Sequence, residues 1–130
     1  MQLGRKSEET AYERWGGAPF FVALVDRFYA GVATDPLLRP LYPDDLTGPK
    51  AHLALFLMQY WGGPRHYSDQ RGHPRLRMRH APFAIGPAQA QAWLGHMAAA
   101  VHEAGLPPAD ETELLDYLTM AAHSLINTAV

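Results

Sequence analysis

The sequence predicts an all-α domain, and three observations carry that reading. Apolar residues recur at the three-and-four spacing of a helix in four long runs. Glycines and prolines, eleven of each, collect between those runs as punctuation. The stretch Arg75-Leu76-Arg77-Met78-Arg79 alternates like a strand but finds no partner strand elsewhere, so it reads as loop entering one short helical turn.

Taken in order, residues 8–15 form a short polar helix ended by Gly16-Gly17. From Pro19 onward, Phe20, Phe21, Leu24, Val25, Phe28 and Val32 mark one deeply buried helical face, with Tyr29 beside it. Pro36 stands like the first residue of a short helix whose apolar side is Leu37, Leu38 and Leu41. Pro40 and Pro43 then break up the chain around Tyr42. Thr47 with Pro49 starts the next helix. Leu53, Phe56, Leu57 and Tyr60 give its inner face, and Gly62-Gly63-Pro64 stops it. Arg65 to Pro74 is polar and is expected to be a long surface loop, a kind of segment that is often functional. Gly86-Pro87 opens a helix with Ala90, Trp93, Leu94, Met97, Val101 and Ala104 inside, closed by Gly105. Pro107-Pro108 opens the last helix, with Leu114, Leu115, Leu118, Ala122, Leu125 and Ile126 inside. Met78 and Phe83 are expected to join the core or pack on whatever it encloses.

The chain has 130 residues, one domain's worth, and its 48% hydrophobic content supports a sizeable core. A formal charge of −2 argues against a nucleic-acid partner, although five of the eleven Lys and Arg lie in Arg65–Arg79. The absence of cysteine excludes disulfides, thiolate metal sites, iron–sulfur clusters and a cysteine nucleophile, and it fits a cytoplasmic protein. The longest apolar stretch, Leu53 to Trp61, is about half of the roughly 20 residues a bilayer span needs. Met1–Trp15 has no apolar run of signal-peptide length, so a soluble cytoplasmic chain with no membrane partner is expected.

The densest chemistry lies in Arg75–Phe83, which packs three arginines, His80 and Pro82 into nine residues. By residue type alone, His80 can be a surface, capping or ligand histidine, and the arginines can be a solvated basic loop. Tyr29, Tyr42 and Trp93 can equally be core aromatics whose polar atoms find partners. His52, His66, His96, His102 and His123 show no spacing for a separate metal site, and no His-Glu-x-x-His run exists. Glu111, Glu113 and Asp116 look like a solvated helix start, and no phosphate-cradling glycine loop is present.

Two strings, Tyr60-Trp61-Gly62-Gly63-Pro64 and Arg71-Gly72-His73-Pro74-Arg75-Leu76-Arg77-Met78-Arg79-His80-Ala81-Pro82-Phe83, strongly resemble the truncated haemoglobins of group II. The likeness runs from about Tyr12 to Asn127 and takes in Gly16-Gly17, Phe28-Tyr29, Tyr42-Pro43, Trp93 and Ala121-Ala122-His123-Ser124. It implies a single truncated-globin domain over residues 1–130, with a core at about 12–127 and an N-terminal extension over 1–11. The implied fold is a two-over-two helical sandwich enclosing haem b, iron protoporphyrin IX.

By this resemblance His80 is the proximal ligand of the haem iron. Neutral imidazole donates to iron while its other ring nitrogen bonds a backbone carbonyl. Tyr29 and Tyr42 are distal tyrosines and Trp93 the distal tryptophan, donors aimed at a diatomic ligand that gains negative charge on binding. Leu53 and Phe56 form the distal wall, and the position that many globins fill with histidine falls at Pro49, or at Gly48 if a gap is moved. Arg79 and Arg77, helped by Tyr67 and His73, are expected to meet the haem propionates, because guanidinium pairs well with carboxylate. The implied function is reversible dioxygen binding at ferrous iron, of oxygen-transport type with slow release, with carbon monoxide and nitric oxide as further ligands. The alternative is a haem enzyme with peroxidase-like or nitric-oxide dioxygenase activity, which needs peroxide or a reductase partner. A haem-free interaction module would explain the core but not the Arg/His stretch. Monomer and homodimer stand equal.

Overall fold

The computed structural model describes residues 9–129. Most of the expected extension over residues 1–11, and the last residue of the expected domain, therefore lie outside the described residues. Seven α-helices and one 3-10 turn form among the described residues, with no strand. They are α1 (Ala11–Arg14), α2 (Ala18–Val32), the 3-10 turn Arg39–Leu41, α3 (Thr47–Tyr60), α4 (His66–Arg71), α5 (Leu76–His80), α6 (Pro87–Glu103) and α7 (Pro108–Ser124). The four long helices are the four apolar-periodic runs. The short helix expected from Pro36 is only a turn, held by the Asp35 carboxylate, which accepts the Leu37 N–H at 2.8 Å.

Helix α2 is the spine of the core. Phe21, Leu24, Val25, Phe28, Tyr29 and Val32 are all buried along it, each contributing about 1.5–3 kcal/mol by area removed from water. It packs on α3 and on α6, and α6 turns back through residues 104–107 to pack on α7. Arg27 ties α2 to α6, its guanidinium donating twice to the Ala100 carbonyl at 3.1 and 2.9 Å.

Helix α1 is fixed by a reciprocal cap: Glu13 N–H donates to Thr10 Oγ1, and Thr10 N–H donates to Glu13 Oε1, both at 3.1 Å. It docks on the end of α3 through Tyr12 N–H donating to the Trp61 carbonyl at 2.9 Å. That approach needs Gly62 and Gly63, where a Cβ would come within 2.6 Å of the Thr10 side chain and of the Tyr12 ring respectively.

Several local expectations are corrected. Thr47 does not cap α3; it is the first helical residue, and its N–H donates to Asp45 Oδ1 at 2.9 Å because Leu46, at the cap position, has no acceptor. Tyr60 is not on the inner face but 49% exposed, stacked on Tyr117. The polar Arg65–Pro74 segment is not a structureless loop, since α4 occupies its middle. Tyr67 from α4 is buried against Phe56, and the Gln59 amide grips Ser68 from both sides at 2.7 and 3.0 Å. Met78 is 61% exposed and does not join the core or the cavity, whereas Phe83, though 43% exposed, lines the cavity as the alternative expectation has it. Helix α5 is too short to bury the side that carries Met78.

Candidate functional site

A cavity of about 360 Å³ opens between the long helices and is closed at its edge by α4 and α5. Eight of the ten residues expected at a site from the sequence line it: His80, Tyr29, Tyr42, Trp93, Leu53, Phe56, Tyr67 and Arg79. Residues spread from position 29 to position 93 converge on one space. His73 is exposed, its Nδ1 accepting the Arg75 N–H at 3.3 Å, and it does not line the cavity. Arg77 is exposed and borders a separate shallow groove near the chain's end. Pro49 lines the cavity whereas Gly48 does not.

His80 is the last residue of α5. Its Nδ1 lies 2.7 Å from the Leu76 carbonyl one turn back. A carbonyl can only accept, so Nδ1 carries the proton and the lone pair sits on Nε2. This is the tautomer a metal-binding imidazole needs. The segment that follows has no regular structure and is held by the Asn127 side chain. Its amide N–H groups donate to the carbonyls of Phe83 at 2.8 Å and His80 at 3.3 Å, and its oxygen accepts the Ile85 N–H at 2.8 Å. Sequence reading missed Asn127, because a lone asparagine after a helix carries no signal of a partner 42 residues away.

Tyr42 is the hub of the polar side of the cavity. Its ring meets Tyr29 edge-on at 5.5 Å, and Tyr29 and Trp93 are its polar neighbours. Burial pushes the Tyr42 phenol up, while these two donors pull it partly back. Tyr29 rises further, from burial first and then from Tyr42. Both phenols are therefore neutral donors at any ordinary pH. A hydroxyl has one proton and two acceptor positions. Tyr29, Tyr42 and Trp93 together bring two hydroxyls and an indole N–H to this side of the cavity.

The cavity edge carries a second polar group that sequence reading missed. Arg71 Nη1 lies 3.1 Å from His52 Nε2, and both line the cavity. Because guanidinium only donates, His52 accepts and is neutral, and its pKa is lowered by burial first, then by Arg71 and Arg79. Arg71 Nε is buried with no hydrogen-bond partner. Arg79 lines the same edge and donates from Nε to the Pro74 carbonyl at 2.8 Å and from Nη2 to the Arg71 carbonyl at 2.9 Å, which leaves its Nη1 donors uncommitted. A signal for His52 did exist: Pro49, His52, Leu53 and Phe56 share one helical face.

This donor set fits haem. No group of three or more His, Asp or Glu side chains forms a metal cage among the described residues. An iron held here therefore needs other ligands besides one imidazole, and a porphyrin supplies four. The walls are predominantly aromatic and aliphatic, and the guanidinium groups of Arg71 and Arg79 at the edge suit anionic groups such as propionates.

Comparison with known proteins agrees. Residues 10–127 match the bacterial-like globin family. Group 2 truncated hemoglobin YjbI of Bacillus subtilis is 41% identical over 111 residues, covering 85% of this chain and 84% of that protein. The hemoglobin of the thermophilic phototrophic bacterium Chloroflexus aurantiacus superposes with a TM-score of 0.91 at 55% identity, over 93% of this chain and 100% of its own. The truncated oxygen-avid haemoglobin from Bacillus subtilis gives a TM-score of 0.87 at 40% identity, over 92% of this chain and 100% of its own. By fold, by cavity and by these likenesses, the chain belongs to the bacterial-like globins as a group II truncated haemoglobin, with haem b as its cofactor.

Proposed function

We propose that the protein binds dioxygen at ferrous haem and releases it slowly, with His80 as proximal ligand and Tyr42 as principal donor to the bound molecule. The haem iron supplies the coordination position at which a diatomic ligand binds and acquires negative charge. Everything else is the work of this chain. His80 presents Nε2 because Leu76 holds Nδ1. Arg71 and Arg79, which line the cavity edge, supply guanidinium groups for the propionates. Leu53, Phe56 and Leu118 exclude water from the cavity.

The observation that supports slow release is the convergence of Tyr42, Tyr29 and Trp93 on one cavity, which makes Tyr42 the hub of the reading. In this reading Trp93 and Tyr29 act on its oxygen, so its proton is preorganised and needs no other bond broken to serve a ligand. The oxygen-avid relative from Bacillus subtilis supports the same reading. A tight complex of this kind suits oxygen holding or chemistry better than delivery. The test is the rate of dioxygen release from the reduced protein after rapid mixing with carbon monoxide. Slow release that accelerates in Tyr42→Phe bears the reading out; fast release in the unaltered protein sinks it.

A second reading, peroxidase-like turnover at the same haem, is favoured by one observation. An aromatic stack leads from the cavity to the surface, through Tyr117 and Tyr60.

A further inference from the structure

Tyr117 is at once a wall of the cavity and one face of that stack. Its ring lies on Tyr60 with centroids 3.9 Å apart and planes 25° apart. Tyr60 is 49% exposed, and it is the one tyrosine of six in the exposed class. Trp61 meets both rings edge-on, at 5.1 Å from Tyr60 and 5.6 Å from Tyr117, and reaches Trp15 at 4.9 Å. Dioxygen binding uses none of these four rings.

We propose that the Tyr117–Tyr60 stack carries one-electron oxidising equivalents from the haem cavity to the surface, making Tyr60 an oxidation site for phenols and aromatic amines that cannot enter the cavity. The proposal rests on the peroxidase-like reading, with a hydroperoxide as oxidant. Reduction of one hydrogen peroxide to two waters takes up two electrons and two protons. Each electron passes from Tyr60 through Tyr117 to the haem site, and Tyr60 gives its phenolic proton to solvent. A phenol or aromatic amine at the surface then returns one electron and one proton to Tyr60 and leaves as a radical. Two such donors per peroxide close the balance.

Three features place the exit at Tyr60 rather than elsewhere. An oxidised tyrosine is stabilised by losing its proton, and the half-exposed Tyr60 hydroxyl can shed one to water. The indole Nε1 atoms of Trp61 and Trp15 are buried with no hydrogen-bond partner, so an oxidised indole there has no acceptor for its proton. The other tyrosines lining the cavity, Tyr29, Tyr42 and Tyr67, are buried or half-buried, and Tyr67 reaches Tyr60 through Phe56, whose ring is not readily oxidised. Burial first, and then Tyr60, push the Tyr117 phenol up to about 12, so Tyr117 keeps its proton at rest.

The test treats the ferric haem-loaded protein with hydrogen peroxide and a nitroso spin trap, without added donor, and locates the adduct by peptide mass spectrometry. The expected adduct is on Tyr60. Tyr60→Phe should lose it at least tenfold while the Soret band responds to peroxide at an unchanged rate. Tyr60→Trp should restore an adduct at position 60. Tyr117→Phe, which keeps the stack's shape, should lower the Tyr60 adduct per peroxide consumed at least tenfold. An adduct on Trp61, Tyr29 or Tyr42 with none on Tyr60, or an unchanged yield in Tyr117→Phe, overturns the relay alone. A Soret band that ignores peroxide overturns the peroxidase-like reading and the relay with it.

Discussion

Replacing Tyr42 by phenylalanine tests the polar side of the cavity at its hub. The ring stays edge-on against Tyr29, so the variant removes one hydroxyl and little else. A hydrogen bond to a charged group contributes about 1.5–3 kcal/mol, and about 1.4 kcal/mol corresponds to tenfold in rate. Loss of the Tyr42 proton alone therefore speeds dioxygen release by roughly 10- to 150-fold. The hub geometry reduces that figure. In the proposed arrangement Trp93 and Tyr29 spend their donors on the Tyr42 oxygen, each such neutral bond contributing about 1 kcal/mol. Once that oxygen is gone, both donors are free to turn toward the ligand and recover part of the loss. The net effect is placed near the low end, at about tenfold. Tyr29→Phe removes only a donor to Tyr42 and should change the rate less than about threefold. Rapid mixing of the oxygenated protein with carbon monoxide reads both rates. The reverse order, with Tyr29→Phe large and Tyr42→Phe within about twofold, would refute the hub.

Three further outcomes follow from the geometry. Arg71→Leu should hasten haem transfer to an excess of a haem-binding acceptor protein by roughly three- to tenfold. Arg77→Ala should leave it unchanged, and equal acceleration by both would show that Arg71 has no special part. Asn127→Ala leaves the Ile85 N–H without its acceptor, at a cost of about 1–3 kcal/mol. The urea midpoint should fall accordingly, and an unmoved midpoint would mean that the tail does not hold the segment after His80. The Asp35 carboxyl is held below its ordinary value by the hydrogen bond from His96 first, at 2.7 Å, and then by the Leu37 N–H. A depressed folded pKa gives stability that is present above the unfolded value and lost as pH falls through the folded one. The midpoint of the natural protein should therefore drop as pH falls below about 4, and Asp35→Asn should flatten that fall; a superimposable acid limb would contradict the assignment.

The long helices were legible because each buries a face against another, and burial writes itself into sequence as period. Phe21, Leu24, Val25 and Phe28 needed no tertiary information. What escaped was set by contacts between distant residues. The buried Tyr67 and the grip of Gln59 on Ser68 make a helix from a string that is polar throughout. Asp45 rather than Thr47 caps α3 because the backbone at Leu46 is already helical. At the cavity edge, local adjacency to His80 pointed to Arg79, which does line the cavity, and also to Arg77, which a five-residue helix turns to solvent, while Arg71 and His52 arrive from α4 and α3. Asn127 was invisible for the same reason. Residue type and spacing identify which groups a site can use, whereas which of them reach it depends on how short elements are held.

The most direct test of the account is the absorption spectrum of the purified, haem-reconstituted protein, recorded ferric, then reduced with dithionite, then under carbon monoxide. A sharp Soret band that moves on reduction and again on carbon monoxide binding, and that is lost or displaced in His80→Ala, is the predicted result. A spectrum identical in His80→Ala, or no specific Soret band at all, would contradict the assignment of His80 and of the cavity it lines.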